Sequence, residues 1–217
     1  QASVAKQYLT INHKTILQHS IERFINLPYV HKVVVALAAN DDMFRQLPIA
    51  SHSKLILVAG GDERAHSVFE GIKRLQQENI DWVMVHDAAR PCVTASDISK
   101  LYQECLSQQQ AGILAAPVRD TMKRSESGSK RIQNTVDRNQ LWHAYTPQCC
   151  KVEDLYQAMQ PQFDQQGKVN PQITDEASAL ELAGNPVLLV EGSVKNIKVT
   201  HPEDLKLAEF YLEALNK

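Results

Sequence analysis

Three polar clusters stand directly after apolar runs. Gly60-Gly61-Asp62-Glu63-Arg64 follows Leu55-Ile56-Leu57-Val58, and His86-Asp87-Ala88-Ala89-Arg90-Pro91 follows Trp82-Val83-Met84-Val85. Arg119-Asp120-Thr121-Met122-Lys123 follows an apolar run that ends at Val118. In open parallel sheets, ligands bind beyond the carboxyl ends of the strands, so chemistry is expected at these three places. A carboxylate such as Asp87 suits a divalent cation, since magnesium takes one or two carboxylates and completes its shell with substrate phosphates. Capping of the next turn is the plainer role for it. Arg90, three residues on, favours the first reading, because a guanidinium beside a carboxylate makes a compact place for metal and phosphate together. Ala88 and Ala89 let a ligand approach the backbone. Gly60-Gly61 leaves main-chain groups free to face a ligand, and Asp62 and Ser67 flank the start of the next helix; ordinary turn and capping chemistry would use the same residues. Lys6, Arg90, Lys123, Arg138 and Lys198 are the candidate cations. A lone Lys or Arg is usually a solvated surface charge. Lys198 differs, because it lies inside Ile197-Lys198-Val199 and its amine is expected to point away from the core, towards a groove or solvent.

The elements that must position these groups follow from the apolar pattern. Helices are expected over residues 16–26 behind Thr15, 41–47 before Pro48, 62–77, from Thr94 or Ser96 to 108, 152–159, 175–183 behind Thr174, and 205–215 with Pro202 near its first turn. Short continuous apolar runs at 33–37, 55–58, 82–85, 112–118, 187–190 and 197–199 read as strands, the earlier ones buried on both faces. This alternation predicts an α/β fold, a mostly parallel, Rossmann-like sheet with helices on both faces. The rhythm breaks over 119–148, a polar, basic, serine-rich stretch. There 121–124 and 132–136 read as two strands joined by the turn-forming Ser125-Glu126-Ser127-Gly128-Ser129, a β-arm projecting from one domain that spans 1–217.

Composition narrows the function. With 23 basic and 25 acidic residues the formal net charge is −2, which argues against a global electrostatic grip on nucleic acid. Any anionic ligand must meet a local cluster. No apolar window approaches the roughly 18 residues of a membrane span, and the first residues lack the apolar region of a signal peptide. A cytoplasmic protein is expected, with Cys92, Cys105, Cys149 and Cys150 as reduced thiols. The histidines show no zinc-ligand spacing.

Lys6-Gln7-Tyr8-Leu9, Gly60 to Arg64 with Ser67, the stretches 85–91 and 115–124, Thr135 to Arg138 with Leu141-Trp142-His143, and the stretches 173–178 and 196–205 occur together and in order. In these the chain resembles the 2-C-methyl-D-erythritol 4-phosphate cytidylyltransferases. The resemblance implies transfer of CMP from CTP to methylerythritol phosphate with release of pyrophosphate. It also implies magnesium as cofactor and a homodimer clasped by the arms. By the same resemblance Lys6 would stabilise the transition state at the CTP phosphates, with Arg138 and Lys198 also catalytic. Gly61, Asp62, Ser67, Asp87 and Ala88 would bind nucleotide, and Asp87 the metal. Arg90, Thr121, Arg138, Thr174 and Lys198 would bind the sugar phosphate, Arg138 reaching the other subunit's site. The family opens with an apolar strand, central to the sheet, and a glycine-rich loop with an essential arginine; neither is found ahead of Lys6. His66 and Lys195 stand where the family often has aspartate. Two other readings fit less of the sequence: a cytidylyltransferase for another alcohol phosphate such as ribitol phosphate, and a nucleotide-binding scaffold without catalysis.

Overall fold

The computed structural model describes residues 5–215. A small hairpin, β1 (Thr10–Ile11) with β2 (Lys14–Thr15), leads into α1 (Ile16–Ile25). Thr15 caps α1 as expected, its hydroxyl accepting from the Gln18 amide at 3.1 Å. Next comes β3 (Val33–Leu37), parallel to β4 (Leu55–Ala59). Between them, two short 3-10 turns, Phe44–Gln46 and Pro48–Ser51, replace the single helix expected over 41–47. Pro48 does not end a helix; it opens the second turn, where its fixed φ and missing N–H cost nothing. The chain continues through α2 (Arg64–Gln76), β5 (Trp82–Val85) and α3 (Ala95–Gln108). Thr94, not Ser96, caps α3 by accepting from the Asp97 amide at 3.0 Å. Then come β6 (Ala111–Pro117), the antiparallel pair β7 (Met122–Ser125) and β8 (Ile132–Val136), and β9 (Trp142–Lys151). The last elements are α4 (Val152–Met159), α5 (Glu176–Leu182), β10 (Val187–Glu191) and α6 (Pro202–Leu215).

The main sheet runs in the order β10-β6-β9-β5. β10 and β6 are parallel, whereas β9 is antiparallel to both β6 and β5. The sheet is therefore mixed, not mostly parallel. The cause is the arm: the chain leaves β6, makes the β7–β8 excursion and comes straight back, and a strand that returns without a crossover runs antiparallel. The stretch 119–148 accordingly divides. Its hairpin spans 122–136, but residues from Trp142 on belong to the sheet, with Tyr145 half-buried and Thr146 to Cys150 buried. Residues 197–199 are irregular rather than a strand, and the Val199 amide donates to the Ala89 carbonyl at 2.8 Å.

Both faces of this sheet are covered. Cys150, Val83 and Val85 pack with Ile72, Leu155, Ala179 and Leu180 of α2, α4 and α5. Cys149, Trp82 and Met84 pack on the other side with Ile98, Leu101 and Cys105 of α3. Adjacent residues thus serve opposite cores, which is why the strands read as unbroken apolar runs. Gly112 sits where a Cβ would lie 2.8 Å from Cys105 Sγ, so α3 can approach β6 only over glycine.

β3 and β4 form a separate pair. β3 and β5 each have one edge without a strand partner among the described residues, and both line a cavity of 830 Å³. The central strand implied by the family resemblance is not among the described residues. β3 and β4 are mostly half-buried, whereas β6 is buried along its middle.

Candidate functional site

The turn after β5 is held on several sides. Burial pushes His86 down to about 4, so its ring is neutral. Nε2–H donates to the Arg90 carbonyl at 2.9 Å, which leaves Nδ1 to accept from the Thr146 hydroxyl at 3.0 Å. The Thr146 oxygen in turn accepts from the Asp87 amide at 3.0 Å. Ser20 of α1 donates to the Ala88 carbonyl at 2.7 Å. This relay fixes the backbone that aims Asp87.

The Asp87 carboxylate meets three cations. Oδ1 accepts from Arg64 Nε at 3.1 Å; Oδ2 lies 2.9 Å from Lys198 Nζ and 3.5 Å from Arg90 Nε. Burial pushes the Asp87 pKa up, but Arg64 and Lys198 outweigh it and bring it down to about 2. Arg90 also donates to the Asn196 carbonyl at 2.8 Å and stacks its guanidinium 5.1 Å from the Tyr145 ring centroid. Asn196 donates to the Thr146 carbonyl at 2.8 Å, tying the irregular stretch before Lys198 to β9. Lys198 points as its sequence context predicts: Val199 is buried against α6 while the Lys198 amine reaches Asp87.

Arg64 and Glu176 belong to this cluster and were not singled out from the sequence. The Arg64 fork grips Glu176 with bonds of 2.6 and 3.0 Å. Glu176 is 2% exposed. Burial raises its pKa, and Arg64 offsets only part of that. A signal was available: with Ala177, Ala179 and Leu180 it forms the buried face of α5, and a carboxylate on such a face needs a partner.

Other expected site residues lie around this centre. The Gly61 amide donates to Ser67 Oγ at 3.2 Å, and a Cβ at Gly61 would come within 2.3 Å of His66 Cβ, so only glycine fits there. Glu63, not Asp62, caps α2, forming a capping box with His66, and Asp62 stays exposed. His66 also bonds the Gly167 carbonyl through Nε2 at 2.6 Å. Lys6 is exposed and precedes Gln7 and Tyr8, which line the same cavity as Arg64, Ser67, Asp87 and Ala88. Thr174 is exposed and does not cap α5; Asp175 does, accepting from the Ser178 amide at 2.9 Å. Thr121 and Arg138 stay on the arm, where Arg138 donates to the Arg119 carbonyl. Among the described residues, no hydrogen bond or ion pair joins either of them to Asp87. The structure thus gathers Asp87, Arg90 and Lys198 directly, places Thr174 two residues before Glu176, which Arg64 joins to the cluster, and gives neither Thr174 nor the arm residues a bond to Asp87.

A family model for 2-C-methyl-D-erythritol 4-phosphate cytidylyltransferase matches residues 1–214. The chain belongs to that family. A relative of that name from Aliivibrio fischeri is 49% identical over 218 residues, covering 100% of this chain and 90% of the relative. One from Vibrio vulnificus is 52% identical over 214 residues, covering 98% and 88%. The crystal structure of the Francisella tularensis cytidylyltransferase superposes with a TM-score of 0.83 at 36% identity, covering 96% of this chain and 93% of that one. The Thermus thermophilus structure gives a TM-score of 0.78 at 27% identity, covering 96% and 94%. The chain is thus a nucleotidyltransferase of the cytidylyl class, and the fold is α/β as expected. Among the described residues, no helix of this cytidylyltransferase is long and apolar enough to cross a membrane.

The Asp87 pairing should be visible in acid. Its folded pKa lies near 2, below the ordinary 3.8, so its contribution is full above about pH 4 and is lost as pH falls through 2. In metal-free buffer, Asp87→Asn should be less stable than the parent at pH 6, and the difference should shrink as pH falls from 4 to 2. Urea unfolding at each pH measures it.

Proposed function

We infer that this chain joins CTP to 2-C-methyl-D-erythritol 4-phosphate, forming 4-diphosphocytidyl-2-C-methyl-D-erythritol and releasing pyrophosphate, a step of isoprenoid precursor synthesis. The observation that carries the mechanism is Asp87, held ionised at the end of β5 among Arg64, Arg90 and Lys198. An oxygen of the sugar phosphate forms a bond to the α-phosphorus of CTP, and the bond from that phosphorus to the oxygen bridging to the β-phosphate breaks. Both reactants are polyanions, so the protein's work is to position them and to stabilise charge; no covalent nucleophile is needed. Lys198 and Arg90 present cations to the acceptor phosphate, and Asp87 fixes where those cations sit. Thr174 adds a hydroxyl on the same side. Gly61 and Asp62 offer main-chain and carboxylate partners to the base, with Ser67 behind them and the Ala88 backbone beside the ribose. Lys6 faces the triphosphate.

Among the described residues no cluster of three or more His, Cys, Asp or Glu forms a metal cage. A single ionised carboxylate suits magnesium that is otherwise held by phosphate oxygens; Asp87 would be that carboxylate, sharing with the ion the oxygens that Arg64 and Lys198 bond. When bound, the ion neutralises phosphate charge and polarises the phosphoryl oxygens.

The arm supplies the remaining groups. Thr121 and Arg138 lie away from their own Asp87, while Ile132 on the arm is 64% exposed and Met122 38%. A homodimer in which each arm covers that apolar surface and carries Arg138 into the second subunit's site accounts for both facts.

Pyrophosphate release from CTP and methylerythritol phosphate tests the reaction; release should need magnesium and stop with EDTA. Lys198→Ala and Arg138→Ala should each lower kcat/KM for the sugar phosphate by about 100-fold, the usual cost of losing one charge-stabilising donor, with CTP affinity little changed. Mixing the two impaired variants should raise the activity above that of either alone if Arg138 serves the other subunit, because one site in each heterodimer is intact. No recovery in a mixture shown to exchange subunits would place Arg138 in its own subunit's site.

A further inference from the structure

Arg64 stands in the first turn of α2, just after the Gly60-Gly61-Asp62 loop, and Glu176 in the first turn of α5, two residues after Thr174. The two loops belong to the nucleotide side and the acceptor side of the reading above, on which this inference rests. We propose that Arg64 and Glu176 are a positioning pair that holds these two halves of the site at a fixed separation, with Arg64 standing between Glu176 and Asp87 and bonded to both.

The geometry is specific to arginine. Both terminal nitrogens of Arg64 bond Glu176, at 2.6 and 3.0 Å, and Nε bonds Asp87 at 3.1 Å. One planar group thus addresses two carboxylates in two directions, which an ammonium on a flexible stem does not reproduce. Glu176 cannot drift. Gln148 of β9, 3% exposed, donates to Asp175 at 2.9 Å and accepts from the Ala177 amide at 2.8 Å, anchoring the residues on both sides of Glu176. α5 is therefore bolted to the sheet below and to α2 at its side. A structural role alone explains the pair poorly. Desolvating a carboxylate is costly, and apolar replacements of buried ion pairs are often as stable or more so.

The test compares Glu176→Gln, Arg64→Lys and the double variant Arg64→Met/Glu176→Leu with the parent. The natural cysteines are buried, so nitroxide labels on cysteines introduced at the exposed positions Asp62 and Gln172 report the separation of the two loops by pulsed electron resonance. The parent should give one narrow distance distribution. All three variants should give a broader or displaced one, Arg64→Lys included although its charge is kept. In turnover, kcat should fall by about 10- to 100-fold, the effect of misplacing reactants by an ångström or so. KM for the sugar phosphate and Kd for CTP should stay within about threefold, since each half still binds its own ligand. The double variant, which buries no unpaired charge, should keep a Tm near the parent's and still have the low kcat. A distance distribution as narrow as the parent's in the variants overturns the proposal, as does recovery of kcat whenever Tm recovers, or a loss confined to the affinity for one substrate. The distance measurement stands without any activity, whereas a parent that releases no pyrophosphate would count against the functional reading alone.

Discussion

The site depends on keeping one negative charge in the middle of three positive ones. Asp87 alone would repel both phosphorylated reactants; Arg64, Arg90 and Lys198 alone would repel one another. Together with Glu176 they form a set of three cations and two carboxylates whose net charge favours an anion. Each long side chain is restrained before substrate arrives, so little reorganisation remains for the moment of reaction. The neutral His86 relay serves the same end from behind, because a charged imidazole there would lose its acceptor for Thr146 and loosen the turn that aims Asp87.

Much of this was legible in the residues. The polar clusters after 55–58 and 82–85 do fall at strand ends, and Lys198 is directed as its place between Ile197 and Val199 requires. Thr15 and Thr94 announce their helices. Less legible was anything that depends on chain reversal. β9 begins with exposed, polar residues such as His143, so its first half reads as arm and only its second half as core. Propensity cannot show that a strand runs antiparallel between β6 and β5. Glu176 was hidden for another reason: an acid in the first turn of a helix is ordinary, and only the burial of its neighbours shows that it needs Arg64. Asp175 displaced Thr174 as cap because its carboxylate reaches the Ser178 amide, leaving Thr174 exposed and free of a capping role.

β9 also constrains how the sequence can change. Its Thr146 and Gln148 meet the Asp87 turn and the start of α5, and Tyr145 lies under Arg90. The pairing of β9 with β6 already shifts register between Ala144 and Gln148, so inserting or deleting one residue within this stretch would carry all three away from their partners at once. The hairpin just upstream carries no such restriction. Length variation among related enzymes should therefore gather in the 125–132 turn and stop short of Tyr145.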